Sequence, residues 1–309
     1  MTECTPAVSI VVCTRDRVSS LIARLPSIVD AASASSRDTE IIVVDNGSVD
    51  GTTKEVARRF PTVLLVHEGA PGISIARNTG VRAAKAPVIL FTDDDVEVPL
   101  DWVNRLSAPL IAGAAEIVVG GISVDESLRR TWMSPWLLQN FAHYPEQQSV
   151  DPGVVGANFG ALKTVLLEIP FDERLGAAPY QRHEDGFFGV QARERGFRIV
   201  GVAGDPVVHH FDPSRLQRSA IHALAARAGR GSGYIWYHWA YGVAPHLFVK
   251  SVVFRLTRIA TLPWLRRHQS DRDLKLVAKI AFIDELRRIE GSPRNYPAPS
   301  VRLADPPSP

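Results

Sequence analysis

Cysteine is nearly absent from this chain. Two occur in 309 residues, Cys4 and Cys13, both near the N-terminus. A disulfide framework is thereby excluded, and a reducing compartment fits. Long apolar runs are missing too: no stretch of about 18 uncharged apolar residues occurs, which argues against a spanning helix. The first residues, with Glu3 and Pro6, lack the basic start and apolar run of a signal peptide. Nor does one charge dominate, since 35 Lys and Arg against 33 Asp and Glu leave a formal +2, and bulk charge gives no reason to expect a nucleic-acid partner. The expectation is a cytoplasmic protein, soluble or attached peripherally to the inner face of the cell membrane. What is present is an ordinary globular composition, 45% hydrophobic and 22% charged, with length enough for one large domain, or one domain with an appendage.

The first hundred residues alternate strand and helix signals. Val8 to Cys13, Ile41 to Val44, Val63 to Val66 and Val88 to Phe91 are short apolar, mostly β-branched runs, of the kind buried on both faces of a parallel sheet. Between them, Leu21, Leu25, Ile28 and Val29 recur at helical spacing, Thr53 to Phe60 reads as a helix capped by Asp50 or Thr52, and Ser74 to Lys85 reads as another. This βαβαβαβ series predicts an α/β fold with a doubly wound, mostly parallel sheet. Farther on, Ile117 to Val119 reads as a strand. Thr131 to Pro152, with Trp132, Trp136, Phe141 and Tyr144, suits either a loop beside a pocket or plain core. Phe187 to Arg195 reads as a helix closed by Gly196, and Phe197 to Val202 and Val207 to His210 as strands. Arg215 to Arg230 reads as a helix ending in a glycine break at Gly229 to Gly233. Leu247 to Leu265 reads as a helix with Phe248, Val252, Leu256 and Ile259 on one face. The proline-rich tail from Ser292 is expected to be disordered.

In an open parallel sheet, ligands bind beyond the carboxyl ends of the strands. Thr14-Arg15-Asp16-Arg17 follows the first strand, Asp45-Asn46-Gly47-Ser48 the second, and Asp93-Asp94-Asp95 the fourth. A single acid after a strand is often only a turn or cap residue. Three adjacent carboxylates repel one another unless something positive binds. No lysine or arginine stands between Lys85 and Arg105, so the counter-charge is either a distant basic residue or a hard divalent cation with oxygen ligands; a solvated acidic turn is the plain alternative. A dinucleotide oxidoreductase would need GxGxxG after the first strand, where this chain reads TRDRVSS without a glycine.

Seven segments, in order, resemble the family 2 glycosyltransferases of the GT-A fold: VSIVVCTRDR at Val8 to Arg17, EIIVVDNGSVDGT at Glu40 to Thr52, GISIARNTG at Gly72 to Gly80, FTDDDVEVP at Phe91 to Pro99, GANFGALK at Gly156 to Lys163, HEDGFFGVQARERGFRI at His183 to Ile199, and VVHH at Val207 to His210. The resemblance covers about residues 7 to 212. It implies a catalytic domain over 1–212, with a nucleotide-binding half at 1–100 and an acceptor half at 101–212, then a helical extension at 213–291 and the tail at 292–309. The family's opening loop usually reads Pro-Thr-aromatic-Asn; here Cys13-Thr14-Arg15-Asp16 stands there, so Arg15 is the group left to stack on the base. The QxxRW motif of processive members is missing, which disfavours polymer synthesis.

The implied activity is that of a hexosyltransferase-like enzyme of polysaccharide biosynthesis. It would be an inverting, metal-dependent glycosyltransferase moving a sugar from a UDP-, GDP- or dTDP-linked donor to a hydroxyl acceptor, which is a saccharide, a lipid-linked glycan or a small molecule. The resemblance implies donor contacts from Thr14, Arg15, Arg17, Asp45, Arg77, Asp93 and Asp94, with Asp45 accepting from the base and Arg77 lying against it. It implies Mn²⁺ or Mg²⁺ at Asp95, supported by Asp93, with His209 and then His210 as further contacts. Asp185 would be the general base, tuned by Glu184; helix capping is the plain role for both acids. Asn158, Trp132 and Trp136 would face the acceptor. A sugar nucleotidyltransferase would want a glycine-rich basic loop after the first strand, which is absent, and a catalytically idle sugar-nucleotide-binding or scaffold protein would not need Asp93, Asp95 and Asp185 intact. The Leu247 to Leu265 helix, with Lys250, Arg255 and Arg258, and Arg266 and Arg267 following, reads as a peripheral membrane contact, as a face packed on the catalytic domain, or as a homodimer contact.

Overall fold

The computed structural model describes residues 5–145, 152–242, 244–265 and 271–297. Cys4, Arg266, Arg267, residues 146–151 of the aromatic stretch and the tail beyond 297 lie outside the described residues. The chain runs β1 Val8–Thr14, α1 Val18–Ser33, β2 Thr39–Asp45, α2 Thr52–Arg59, β3 Leu64–His67, α3 Ile73–Ala83, β4 Val88–Asp93, β5 Val96–Glu97 and α4 Trp102–Ile111. It continues through β6 Ile117–Val124, α5 Pro135–Asn140, β7 Asn158–Leu162, α6 Lys163–Glu168, α7 Glu184–Glu194, β8 Ile199–His209, α8 Arg218–His238, α9 Leu247–Leu265 and α10 Asp271–Ile289. It divides into two compact units. The first is Met1–Arg129, Phe141–Arg174 and Glu184–Phe211; the second is Arg130–Asn140, Leu175–His183 and Asp212–Pro309.

The first unit is built on one eight-stranded sheet in the order β3-β2-β1-β4-β7-β6-β8-β5. Strands β3, β2, β1 and β4 are mutually parallel, as the alternating signals predict. The rest of the sheet is mixed: β7 runs antiparallel to both β4 and β6, β8 runs parallel to β6, and β5 antiparallel to β8. Strand direction does not register in a short apolar run, so the sequence could not separate these cases. Period-two alternation builds a core on each face of the sheet. Val8, Ile10 and Val12 enter one cluster with Leu21, Leu25 and Trp102, whereas Val11 and Cys13 enter the other with Ala76, Phe159 and Phe188. The edge strand β3 is only half covered.

Two expected strands, at 197–202 and 207–210, prove to be the single strand β8. Its exposed centre, Ala203-Gly204-Asp205, reads like a turn but stays extended where the pairing with β6 skips between Gly120 and Ile122.

The second unit holds α8, α9 and α10. The expected glycine break does not occur, because α8 runs straight through Gly229, Gly231 and Gly233 to His238. These glycines let α10 approach closely: a Cβ on Gly229 would lie 1.9 Å from the Ala278 carbonyl oxygen, and one on Gly233 would lie 3.1 Å from the Phe282 carbonyl. Tertiary packing here outweighs a propensity cost of about 1 kcal/mol per glycine. The start of the tail is also fastened. Tyr237 and Tyr241 donate to the carbonyls of Ser292 and Tyr296, Asn295 donates to Tyr234, and Arg294 stacks 3.5 Å from the Tyr237 ring centroid.

Candidate active site

The sheet register aligns the carboxyl ends of three neighbouring strands, with Thr14 opposite Asp45 and Cys13 opposite Asp93. The three acids that follow β4 turn different ways. Asp94 is buried and accepts from the Thr14 hydroxyl at 2.7 Å and from Arg17 at 2.6 Å. Asp95, also buried, accepts from the same Arg17 nitrogen at 2.9 Å. Asp93 keeps about a third of its side chain exposed and lies 3.5 Å from Arg77. The counter-charge demanded by the acid triplet is thus supplied in part by a distant basic residue, Arg17. Mutual attraction keeps that guanidinium charged despite desolvation. Burial pushes the Asp94 carboxyl up to about 6, opposed by Arg17.

His209 ends β8 and turns its Nε2 to within 3.3 Å of Asp95 Oδ1. Its Nδ1 lies 2.9 Å from the Phe141 carbonyl. A carbonyl only accepts, so Nδ1 carries a proton, and Nε2 is the ring atom that faces Asp95. A ring nitrogen this close to a carboxyl oxygen is accommodated by a proton on Nε2 or by a metal ion beside the pair. Among the described residues, no group of three or more His, Cys, Asp or Glu side chains converges as it stands on a metal position.

A second set of charges lies on the other side of Asp93. Arg77 is buried, donates to Glu184 at 2.8 Å, and sits 5.6 Å over the ring of Phe171. Gly156 is required beside it, since a Cβ there would fall 2.2 Å from Arg77 Nη2. The Gly156 amide in turn donates to Asp185 at 2.6 Å. Asp185 is half-buried and its other oxygen accepts from the Gly186 amide. Burial, with Asp185 adjacent, raises the Glu184 carboxyl, and Arg77 works against that rise. Both acids open α7.

Several expected contacts are placed differently. Asp45 is 1% exposed, and its oxygens accept from the Ser48 amide at 3.0 Å and the Thr53 hydroxyl at 2.5 Å. Burial alone would raise its carboxyl; these bonds outweigh burial and hold it low. It braces the loop after β2. Arg77, expected against the base, bridges Glu184 and Asp93. His210, one residue past His209, turns to Glu97 and Asp125, at 3.3 and 3.2 Å, and away from Asp95. Asn158 is fully buried: it accepts from the Trp102 indole at 2.8 Å and donates to the Gly121 carbonyl at 2.8 Å. Its amide is spent inside the core and is not presented to an acceptor. Arg15 is half exposed, 3.7 Å from Asp16. Trp132, exposed, and Trp136, half-buried, belong to the second unit. The sequence reading missed the backbone contributors, the Gly156 amide and the Phe141 carbonyl, because main-chain groups leave no residue-type signal. Only the glycine itself pointed to the first.

The family model for glycosyl transferase family 2 matches residues 9–169. The chain belongs to this family. The chain is 32% identical over 206 residues to Glycosyltransferase AglE of Haloferax volcanii, covering 64% of each chain. It is 34% identical over 106 residues to the uncharacterized glycosyltransferase EpsJ of Bacillus subtilis, covering 33% of this chain and 31% of that one. It therefore spans less than two thirds of the length of these relatives. Among solved structures, the mannosyltransferase PcManGT from Pyrobaculum calidifontis, in complex with GDP-Man and Mn²⁺, superposes with a TM-score of 0.56 at 16% identity, over 93% of this chain and 87% of that one. S. aureus TarS 1-349 superposes at 0.52 and 14% identity, over 92% and 90%. At such identities the likeness is one of fold, and that fold is GT-A. Among the described residues, no helix is long and apolar enough to cross a membrane.

Proposed function

We propose that this glycosyltransferase moves a sugar, with inversion, from a UDP-, GDP- or dTDP-linked donor to a hydroxyl acceptor, with Mn²⁺ or Mg²⁺ held at Asp95 and His209. The observation that carries the reading is His209 Nε2 lying 3.3 Å from the buried Asp95 carboxyl beyond the carboxyl edge of the sheet. Two protein ligands are too few for a closed cage, but they suit a cation that keeps water and substrate phosphate oxygens as its other ligands. Such a cation would offset the charge of the departing diphosphate, so that no protonating acid is needed. Neighbours in complex with GDP-Man and Mn²⁺, and with UDP-GlcNAc, support a nucleotide-sugar donor as the class.

The other roles follow from what each side chain can reach. Asp93, partly open beside Arg77, is suited to a ribose hydroxyl or to supporting the cation. Thr14, Arg17 and Asp94 form a buried strut that fixes the edge of the donor site. Asp185, held by the Gly156 amide in one orientation, has lone pairs left to take the proton of the attacking hydroxyl. Glu184 and Arg77 fix the helix start that carries it. Attack from the face opposite the diphosphate inverts the anomeric centre. The test is a panel of UDP-, GDP- and dTDP-sugars with Mn²⁺ or Mg²⁺, read as release of nucleoside diphosphate. Metal-dependent release from one donor class is expected. Metal and donor binding with no turnover on any acceptor would move the protein to the idle, sugar-nucleotide-binding class.

A further inference from the structure

The outward side of α9 is apolar. Phe248, Val249, Val252, Val253, Leu256 and Ile259 are all exposed, Phe248 to 65%, Leu256 to 59% and Ile259 to 66%. At about 100° per residue they form one continuous arc. The opposite arc, with buried Leu247 and Ser251, packs on α10, where Ser251 donates to Asp284. Isolated exposed apolar side chains are ordinary; six on one helical face are not. This face is therefore not the core face of the unit.

Charge says what the face fits. Leu247–Leu265 contains no Asp or Glu. Arg255 and Arg258 turn inward, onto Asp284 at 2.5 Å and Asp273 at 2.9 Å. Lys250 and Arg287 stand at the rim, the latter 5.2 Å over the Phe248 ring, and among the described residues neither has an acidic partner. We propose that α9 lies in the surface of an anionic lipid bilayer, its apolar arc in the acyl boundary and Lys250 and Arg287 at the headgroups. The residues outside the described ones include few large apolar side chains: Met1, Val150, Val243, Val301 and Leu303. A second copy docked about a twofold axis would set this cationic rim against its own like.

The test is co-sedimentation of the full chain with phosphatidylcholine vesicles, with and without phosphatidylglycerol, at low and moderate salt. The readout needs no donor or acceptor, so its failure is separate from failure of the transferase reading. Wild type is expected to pellet with the anionic vesicles, less so at higher salt. Phe248→Ser with Leu256→Ser should lower partitioning at least ten-fold. Lys250→Gln with Arg287→Gln should lower it about five-fold per charge removed. Thermal melts of each variant check that the fold persists. No pelleting with anionic vesicles at low salt, or equal pelleting of the face variant, overturns the proposal. So does a concentration-dependent dimer that the face variant abolishes without any vesicle binding.

Discussion

Asp185→Asn keeps the size of the side chain and an oxygen for the Gly156 amide, but it removes the group able to take a proton. Donor binding should stay near normal while turnover falls by a factor on the order of 100 or more; unchanged turnover would move the role to Glu184. Asp94 carries a pH dependence. Its folded carboxyl sits near 6, above its ordinary value, so between the two the native state holds a proton that the unfolded chain has lost. Stability in the donor-free, metal-free protein should therefore fall as pH rises through about 6, and Asp94→Asn should flatten that slope. Melting temperatures across the window from the ordinary value of 3.8 to about 6 read this directly; a variant whose slope matches wild type would contradict it. At this scale the sequence was a partial guide. It marked Asp93, Asp94 and Asp95 as needing a positive partner and left a distant basic residue open, yet Arg17, 77 and 78 positions away from Asp94 and Asp95, was read as a donor contact and not as that partner. Asn158 misled because residue type does not tell whether an amide is already engaged inside the fold.

Helices and strands were legible wherever periodicity was uniform, as in β1, β2 and β4. They were obscured where a local signal was overridden by packing. The glycines of α8 are the clearest case, since three in five residues read as a stop, while the structure uses Gly229 and Gly233 for contact with α10 and Gly231 for contact with Arg182 and His183. This gives a test with opposed signs. Gly186, in α7, has nothing within 4 Å of an added Cβ, so Gly186→Ala should be neutral or stabilising by up to about 1 kcal/mol. Gly229→Ala gains the same propensity but drives a methyl into the Ala278 carbonyl, and should destabilise by roughly 1–3 kcal/mol. Denaturant unfolding of both variants decides it, and stabilisation by Gly229→Ala would refute the close contact between the two helices.

For the whole molecule, the parallel half of the sheet gathers the ends of β1, β2 and β4 at one edge, and β8 brings His209 to the same edge through its pairing with β5. The α/β class and the family were legible because seven short segments fall in order along the chain. The mixed half of the sheet was not, since antiparallel return strands such as β7 are set by long-range pairing. Under the proposed function, metal and donor binding would be one linked event at Asp95. The most direct measurement is calorimetric titration of the best donor from the panel, with Mn²⁺ and with a chelator, into wild type and Asp95→Ala. Binding at least ten-fold tighter with Mn²⁺ in wild type, and insensitive to Mn²⁺ in Asp95→Ala, is the expected result. Equal donor affinity in wild type with metal and with chelator would contradict the proposed cation at Asp95 and His209.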